Sequence, residues 1–599
     1  MELQKILFPS KTSSTDKAMF FRTREEIAPD SSEIHIQKGD VISLESYFNA
    51  FSIGKWKKYT KLDNLHLFLS IDGNVKIKAY NSVGKGLPGP VELNSLQEEY
   101  DIISAIRSVI DCKYSKEKKG YNIDFPNLPE EGILYVKLKA ESDVVIRGGY
   151  YYTDVDEEKL NEIKIALCIC TFKREKEIDR NMNMIIDNLM ENKKSPLYHN
   201  VSVYISDNGH TLGEDRYNNK RIHIFENKNA GGAGGFTRTM IESVHRSNEN
   251  YTHVILMDDD IELDTFVVER TYRLLQMMKK GYKRAVVGGA MLELKKRYKQ
   301  FESGAKFYGI DLYSYNHGWD LRRKDVIAAN EAENDINYTG WWYCCIPTDN
   351  IRELGLPLPQ FIHYDDIEYG VRNSHFGIIL MNGLCVWHPY GMNKQAVSMN
   401  YYDFRNVMIA QANTDDPCSV SRLFVKFMET IWTETLRYRY NSAECFFLGI
   451  EDYFKGPEYF MELEPVSNHK RIAENNDVYE DPKGIDLSKV ENITYKQRPP
   501  HCMIWGAFCW LLPSSGRVRY IGIKDSGVPF FTRKLYFYDE NRKKGFWMER
   551  NYNILFKNIK RSIAIGQKIL TEHGTMINQY KDLKPVYTGL EFWEKYLEI

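Results

Sequence analysis

Residues 257–260 read Met-Asp-Asp-Asp, directly behind the apolar run Val254-Ile255-Leu256. Such a run reads as a buried parallel strand, and its carboxylates then emerge at the C-terminal end, where open α/β sheets gather ligands. Three adjacent acids repel one another, so a cation or a well-hydrated site is the natural way to hold them together. Oxygen donors of this kind suit Mg²⁺ or Mn²⁺, ions that commonly bridge to phosphates. An acidic strand-to-loop turn would use the same residues, so the rest of the chain must decide. A second acidic group, Asp365-Asp366-Ile367-Glu368, supplies a candidate proton acceptor, because a neighbouring acid tends to raise one pKa. An ordinary helix start would also favour acids there. His388 follows an apolar run and is either a ligand or a satisfied core histidine, while Trp341-Trp342 is either packing or a pocket wall. No Ser/His or Cys/His arrangement suggests a covalent intermediate.

Positioning these groups needs alternating strands and helices. Ile165 to Thr171 reads as a buried strand followed by Lys173-Arg174-Glu175 and a helical pattern. Val201 to Asp207 and Ile222 to Phe225 are further strands. Asn229-Ala-Gly-Gly-Ala-Gly-Gly-Phe-Thr-Arg238 then opens a helix that leads to the strand ending at Asp258. Glycines such as Gly231 and Gly232 let backbone amides approach a phosphate or sugar, and a helix N-terminus favours anions. The segment fits neither a Walker loop nor the Rossmann fingerprint, and a tight packing turn would read the same. The alternation predicts a parallel, doubly wound sheet.

Residues 1 to about 155 instead show short strand-forming stretches between Gly, Pro and Asn turns and read as an all-β sandwich. Val420 to about Tyr453 reads as helix, residues 463–500 as polar loop, Met503 to Pro513 as a buried hairpin, and the chain from about Asn551 as helix. The expected layout is therefore multidomain: an N-terminal β-sandwich over 1–155, a central α/β nucleotide-binding domain over 160–412, and a mainly helical C-terminal domain with a β-hairpin over 413–599.

Bulk properties exclude several classes. At 599 residues the chain exceeds a single core. With 80 Lys+Arg against 82 Asp+Glu it carries no basic excess, so nucleic acid is not expected as a partner. The ten cysteines lack zinc-site or disulfide-framework spacing and read as reduced core thiols. The N-terminus shows no leader pattern, and no stretch approaches the roughly 18 apolar residues of a spanning helix. The chain accordingly reads as cytoplasmic.

The order of the pieces is more specific than any one of them. Thr171-Phe-Lys-Arg174, Asp207, the glycine-rich segment, Asp258-Asp-Asp260, Gly340-Trp341-Trp342, Asp365-Asp366 and Trp387-His388 follow one another along the chain. This order resembles the inverting nucleotide-sugar glycosyltransferases of family two with a GT-A fold, above all the polymerising galactofuranosyltransferases of mycobacterial galactan. The N-terminal Tyr47-Phe-Asn-Ala-Phe51 and Trp56 also match that subgroup. The resemblance implies that Arg174 and Asp207 hold uridine diphosphate, with Asp259 near the donor sugar or ribose. It implies Asp258, Asp260 and His388 as ligands to Mn²⁺ or Mg²⁺, and Trp341 and Trp342 as walls of the donor-sugar and acceptor pocket. Asp366 would be the general base, with Asp365 binding acceptor hydroxyls. Tyr401 to Asn406 resembles a family segment but carries Asp403 where the family has a histidine. The implied donor is UDP-galactofuranose and the implied acceptor a bacterial surface glycan or lipid-linked glycan at the inner membrane face; the chain would be open to peripheral membrane contact and homo-oligomerisation. Two alternatives remain at this level: the same fold with UDP-galactopyranose or dTDP-rhamnose, or a non-catalytic glycan-binding scaffold.

Overall fold

The structure, a computed structural model, describes residues 1–85, 91–92, 104–389, 396–481, 491–492, 510–513, 519–522, 532–539 and 542–599. The N-terminal region forms two antiparallel sheets. One pairs Val144–Tyr152 with Glu2–Lys5, Ile34–Ile36 and His66–Asp72; the other pairs Ile133–Ala140 with Val41–Ser43 and Val75–Lys85. His66–Asp72 and Val75–Lys85 alternate buried and accessible side chains, as half-buried strands do. The region is not all β. Ile53–Tyr59 is a helix, with Ile53, Trp56 and Tyr59 buried at a helical interval. It reaches the central unit: Ser52 Oγ donates to Glu331 at 2.8 Å, and Lys55 pairs with Glu333 at 2.9 Å.

The central sheet contains β1 (Ile165–Thr171), β2 (Val201–Asp207), β3 (Ile222–Glu226), β4 (His253–Asp258), β5 (Val286–Gly288), β6 (Cys344–Pro347) and β7 (Ile378–Ile379), in the order 3-2-1-4-6-5-7. β3, β2, β1 and β4 run parallel, and their buried apolar runs are those read in the sequence. The sheet as a whole is mixed, which corrects the expectation of a parallel one. β6 is antiparallel to both β4 and β5. It enters after the long excursion through residues 290–343, so it arrives from the other end of the sheet.

The register levels the carboxyl ends. Thr171 pairs with Asp207 and Cys170 with Asp258. A small second sheet places Ala290–Glu293 beside Gln300–Glu302 and Cys385–His388, with Glu293 level with His388. Backbone hydrogen bonds join Glu262 and Trp387 in both directions (2.7 and 3.1 Å). Those bonds bring His388 to the loop that follows β4.

Beyond residue 398 the chain is mainly helical: Met399–Ala412, Val420–Leu436, Tyr440–Tyr453, Pro465–Ala473 and Tyr552–Tyr587. The single helix expected over 420–453 is two, with Tyr438 in a left-handed conformation (φ 66°) between them. Pro465–Ala473 also replaces part of the expected loop. Pro465 at its start is preset for a helix, and Glu464 caps it by accepting from Val466 and Ser467. Lys534–Asp539 and Lys544–Glu549 form a hairpin, extended by the parallel strand Arg519–Gly522. Residues 503–509 of the hairpin expected over Met503 to Pro513 lie outside the described residues; Trp510 is buried and Leu511 is exposed. The eight described cysteines are free. No helix among the described residues is long and apolar enough to cross a membrane.

One hydrophobic cluster runs through both N-terminal sheets and into the central sheet. The final helix, Leu590–Leu597, returns to the central unit behind the glycine-rich helix Gly231–Met240. Trp593 there is fully buried and donates its indole N–H to the Pro357 carbonyl at 2.9 Å.

Candidate active site

The glycine-rich segment forms the first turn of its helix. Gly231 has φ 68°, and a Cβ there would lie 2.0 Å from the Phe361 carbonyl oxygen, so a side chain is excluded. A Cβ at Gly232 would lie 3.3 Å from Asp365 Oδ2. The glycines thus let the helix start sit directly against the loop carrying the second acidic pair.

Beside this contact is a cavity of about 770 Å³. Gly232, Asp258, Trp341, Trp342, Asp365 and Asp366 all line it. Trp341 is buried and meets Phe236 and Tyr369 edge-on. Trp342 is fixed by its indole N–H, which donates to the Gly289 carbonyl at 2.8 Å.

Asp258, Asp260 and His388 present one ligand atom each within 4.8 Å of one another. His388 Nε2 is 3.1 Å from Asp260 and 3.8 Å from Asp258. Burial pushes the Asp258 carboxyl up, and Asp260 and Asp259 add to this. Burial would also raise Asp260, but the His388 hydrogen bond and the Arg174 charge outweigh it and hold the group at about 2. Arg174, partly exposed, contacts Asp260 and lies 3.7 Å from Asp259. Asp259 accepts from Thr171 Oγ1 at 2.9 Å, and burial lifts its carboxyl to about 6. Two carboxylates and an imidazole are suitable donors for a divalent ion, so the predicted triad is assembled from β4, its following loop and the strand Cys385–His388.

Asp207 is placed differently. It is fully buried and accepts from the backbone N–H groups of Gly209 (2.9 Å), Thr211 (2.6 Å) and Leu212 (2.7 Å). Its carboxylate therefore shapes the loop after β2 and does not line the cavity.

Asp365 and Asp366 begin the helix Asp365–Asn373. Both are pushed up by burial, and Asp365 further by its neighbour. Asp366 accepts from the Tyr338 hydroxyl at 2.6 Å. Glu302, on the strand Gln300–Glu302, is also buried, and burial with the nearby Asp366 lifts it to about 8. Tyr338 and the 2.5 Å pair of His363 with Asp403 were not read from the sequence as parts of the site. One tyrosine among 40 gives no local signal, although its place three residues before Trp341 was a pointer.

Residues 3–154 match the family model described as Galactofuranosyltransferase 2 N-terminal. Together with relatives that align along three quarters of the chain, this identifies the class of protein: it is a glycosyltransferase. The relatives are two galactofuranosyltransferases named GlfT2. That of Mycolicibacterium smegmatis is 25% identical over 491 residues, covering 77% of this chain and 70% of the relative. That of Mycobacterium tuberculosis is 24% identical over 471 residues, covering 74% and 69%. Among solved structures, Staphylococcus aureus TarS 1–349 in complex with UDP is 12% identical, covers 52% of this chain and 90% of its own, and gives a TM-score of 0.31. The mannosyltransferase PcManGT from Pyrobaculum calidifontis, in complex with GDP-Man and Mn²⁺, is 8% identical, covers 54% and 87%, and gives 0.28.

Proposed function

We propose that this glycosyltransferase transfers galactofuranose from UDP-galactofuranose to a glycan hydroxyl with inversion, using a divalent metal. The observation that carries the reading is that Asp258, one member of a cation-suited triad, lines the same cavity as the base-suited pair Asp365 and Asp366 and the two tryptophans. The GlfT2 relatives supply the donor sugar.

Asp258, Asp260 and His388 would hold Mn²⁺ or Mg²⁺, which when bound supplies Lewis-acid neutralisation of charge on the departing diphosphate. Arg174, beside Asp260, would bind the same diphosphate, and the glycine-rich helix start would admit the donor closely. Trp341 and Trp342 would orient sugar rings and exclude water. Asp366 would take the proton from the acceptor hydroxyl while Asp365 holds a neighbouring hydroxyl. Burial keeps Asp366 basic, and the Tyr338 hydroxyl fixes its orientation. Asp207 would act on the nucleotide through the loop it shapes. The acceptor on this reading is an extended glycan.

The test is UDP release with Mn²⁺, comparing UDP-galactofuranose, UDP-galactopyranose and dTDP-rhamnose (nucleotide release for the last), with and without a galactofuranosyl acceptor. Release from the furanose donor that the acceptor stimulates is expected. Preference for another donor would overturn the assigned sugar.

A further inference from the structure

The loop leading into Asp365 is strained. Phe361, His363 and Tyr364 have φ of 73°, 64° and 68°, and none is a glycine. Bulky residues keep such conformations only where their surroundings impose them. Here two helices hold the loop: Ala233 of the glycine-rich helix donates its backbone N–H to the Phe361 carbonyl at 3.3 Å, and Met399–Ala412 grips the other carbonyls. Asn406 is fully buried, and its amide nitrogen donates to the carbonyls of Gln360 (3.0 Å), Ile362 (2.8 Å) and His363 (2.9 Å). Arg405, also buried, donates to Asn406 Oδ1 at 2.8 Å, which fixes which way the amide faces, and reaches the Gln360 carbonyl at 3.1 Å. One turn earlier on the same helix, Asp403 pairs with His363 Nδ1 at 2.5 Å.

We infer that Asn406 and Asp403 are positioning residues for the transfer: Asn406 locks the left-handed turn that aims Asp365 and Asp366, and Asp403 holds the His363 imidazole beside them. The inference rests on the reading of Asp366 as the base. The charges around the turn agree with it. Burial opposes a charge on His363, but Asp403, Asp365 and Asp366 together outweigh burial and raise it. In return, the His363 charge favours the ionised form of Asp366, which burial disfavours. Tyr338 and Glu302 face Asp366 from other elements. Asp311 faces Tyr364 and is itself paired with Lys426 at 3.3 Å.

The test uses the full chain with UDP-galactofuranose, a synthetic galactofuranosyl disaccharide as acceptor and saturating Mn²⁺. Turnover and calorimetric UDP affinity are measured for the wild type, Asn406→Ala, Asp403→Asn and Asp366→Asn. Asn406→Ala is expected to lower kcat about 10- to 100-fold and leave UDP affinity within about twofold, as misplacing a reacting group does. Asp403→Asn is expected to move the acid limb of kcat to higher pH. A neutral His363 no longer favours ionised Asp366, so the buried carboxyl keeps its proton to higher pH. Unchanged kcat in Asn406→Ala, or an unmoved limb in Asp403→Asn, overturns the inference. If Asn406→Ala does not fold, the near-isosteric Asp403→Asn decides. Retained turnover in Asp366→Asn refutes the base assignment itself; lost turnover there with the other two variants unaffected refutes only the positioning role.

Discussion

Asp260 and Asp366 are both largely buried acids, but they differ in what surrounds them. Asp260 has a histidine and an arginine against it and is held at about 2. Asp366 has a tyrosine hydroxyl and other acids near it, and burial raises it. The same side chain is thus prepared for opposite tasks. One remains ionised and can share a cation; the other has affinity for a proton, which a general base needs. On our proposal this contrast is what divides the cavity into a donor side and an acceptor side.

The contrast can be broken most severely on the donor side. Asp258→Asn should lower turnover about 10³-fold, since a positioned metal supplies several kcal/mol of charge stabilisation. The same change should abolish the Mn²⁺ dependence of UDP binding, read by calorimetry. Trp593→Ala should destabilise the fold by about 3–5 kcal/mol, the usual cost of removing a buried tryptophan, and thermal unfolding would report it. Because Trp593 packs behind the glycine-rich helix, residual folded protein should lose UDP affinity before it loses acceptor affinity. Arg174→Lys should weaken UDP binding about tenfold, because lysine cannot grip a diphosphate in bidentate fashion.

The smallest effect sharpens the contrast through pH. A base must be unprotonated, and the Asp366 carboxyl is raised, so its protonated fraction grows as pH falls. At saturating Mn²⁺, kcat should therefore fall with pH, approaching about tenfold per unit well below the limb. UDP affinity should change less over the same range, because Asp260 stays ionised and a bound cation favours ionised Asp258. Parallel pH profiles for kcat and UDP affinity would contradict the division.

Much of the donor side was legible in sequence. The apolar run before Asp258 marks a strand whose end must carry the acids, and the glycines mark a helix start in close contact. That His388 would join them could be read only from a resemblance, because the Glu262–Trp387 bridge that delivers it links distant segments. Strand direction was not legible: Cys344–Pro347 is apolar whichever way it runs, so the sheet was expected to be parallel and is mixed. The helix Ile53–Tyr59 was hidden among strand-forming residues, since seven residues barely establish a helical period. The partners on the acceptor side were least visible. Asp403 and Asn406 lie in a segment whose resemblance is legible, but their bonds to the loop before Asp365, like the Tyr338 bond to Asp366, are tertiary contacts that no local pattern announces.

The most direct measurement is the single-turnover transfer rate of Asp366→Asn beside its UDP affinity with Mn²⁺. The account predicts a rate lower by about 10³- to 10⁴-fold with UDP affinity unchanged within about twofold. A rate near that of the wild type, or a loss of UDP binding equal to the loss of rate, would contradict it.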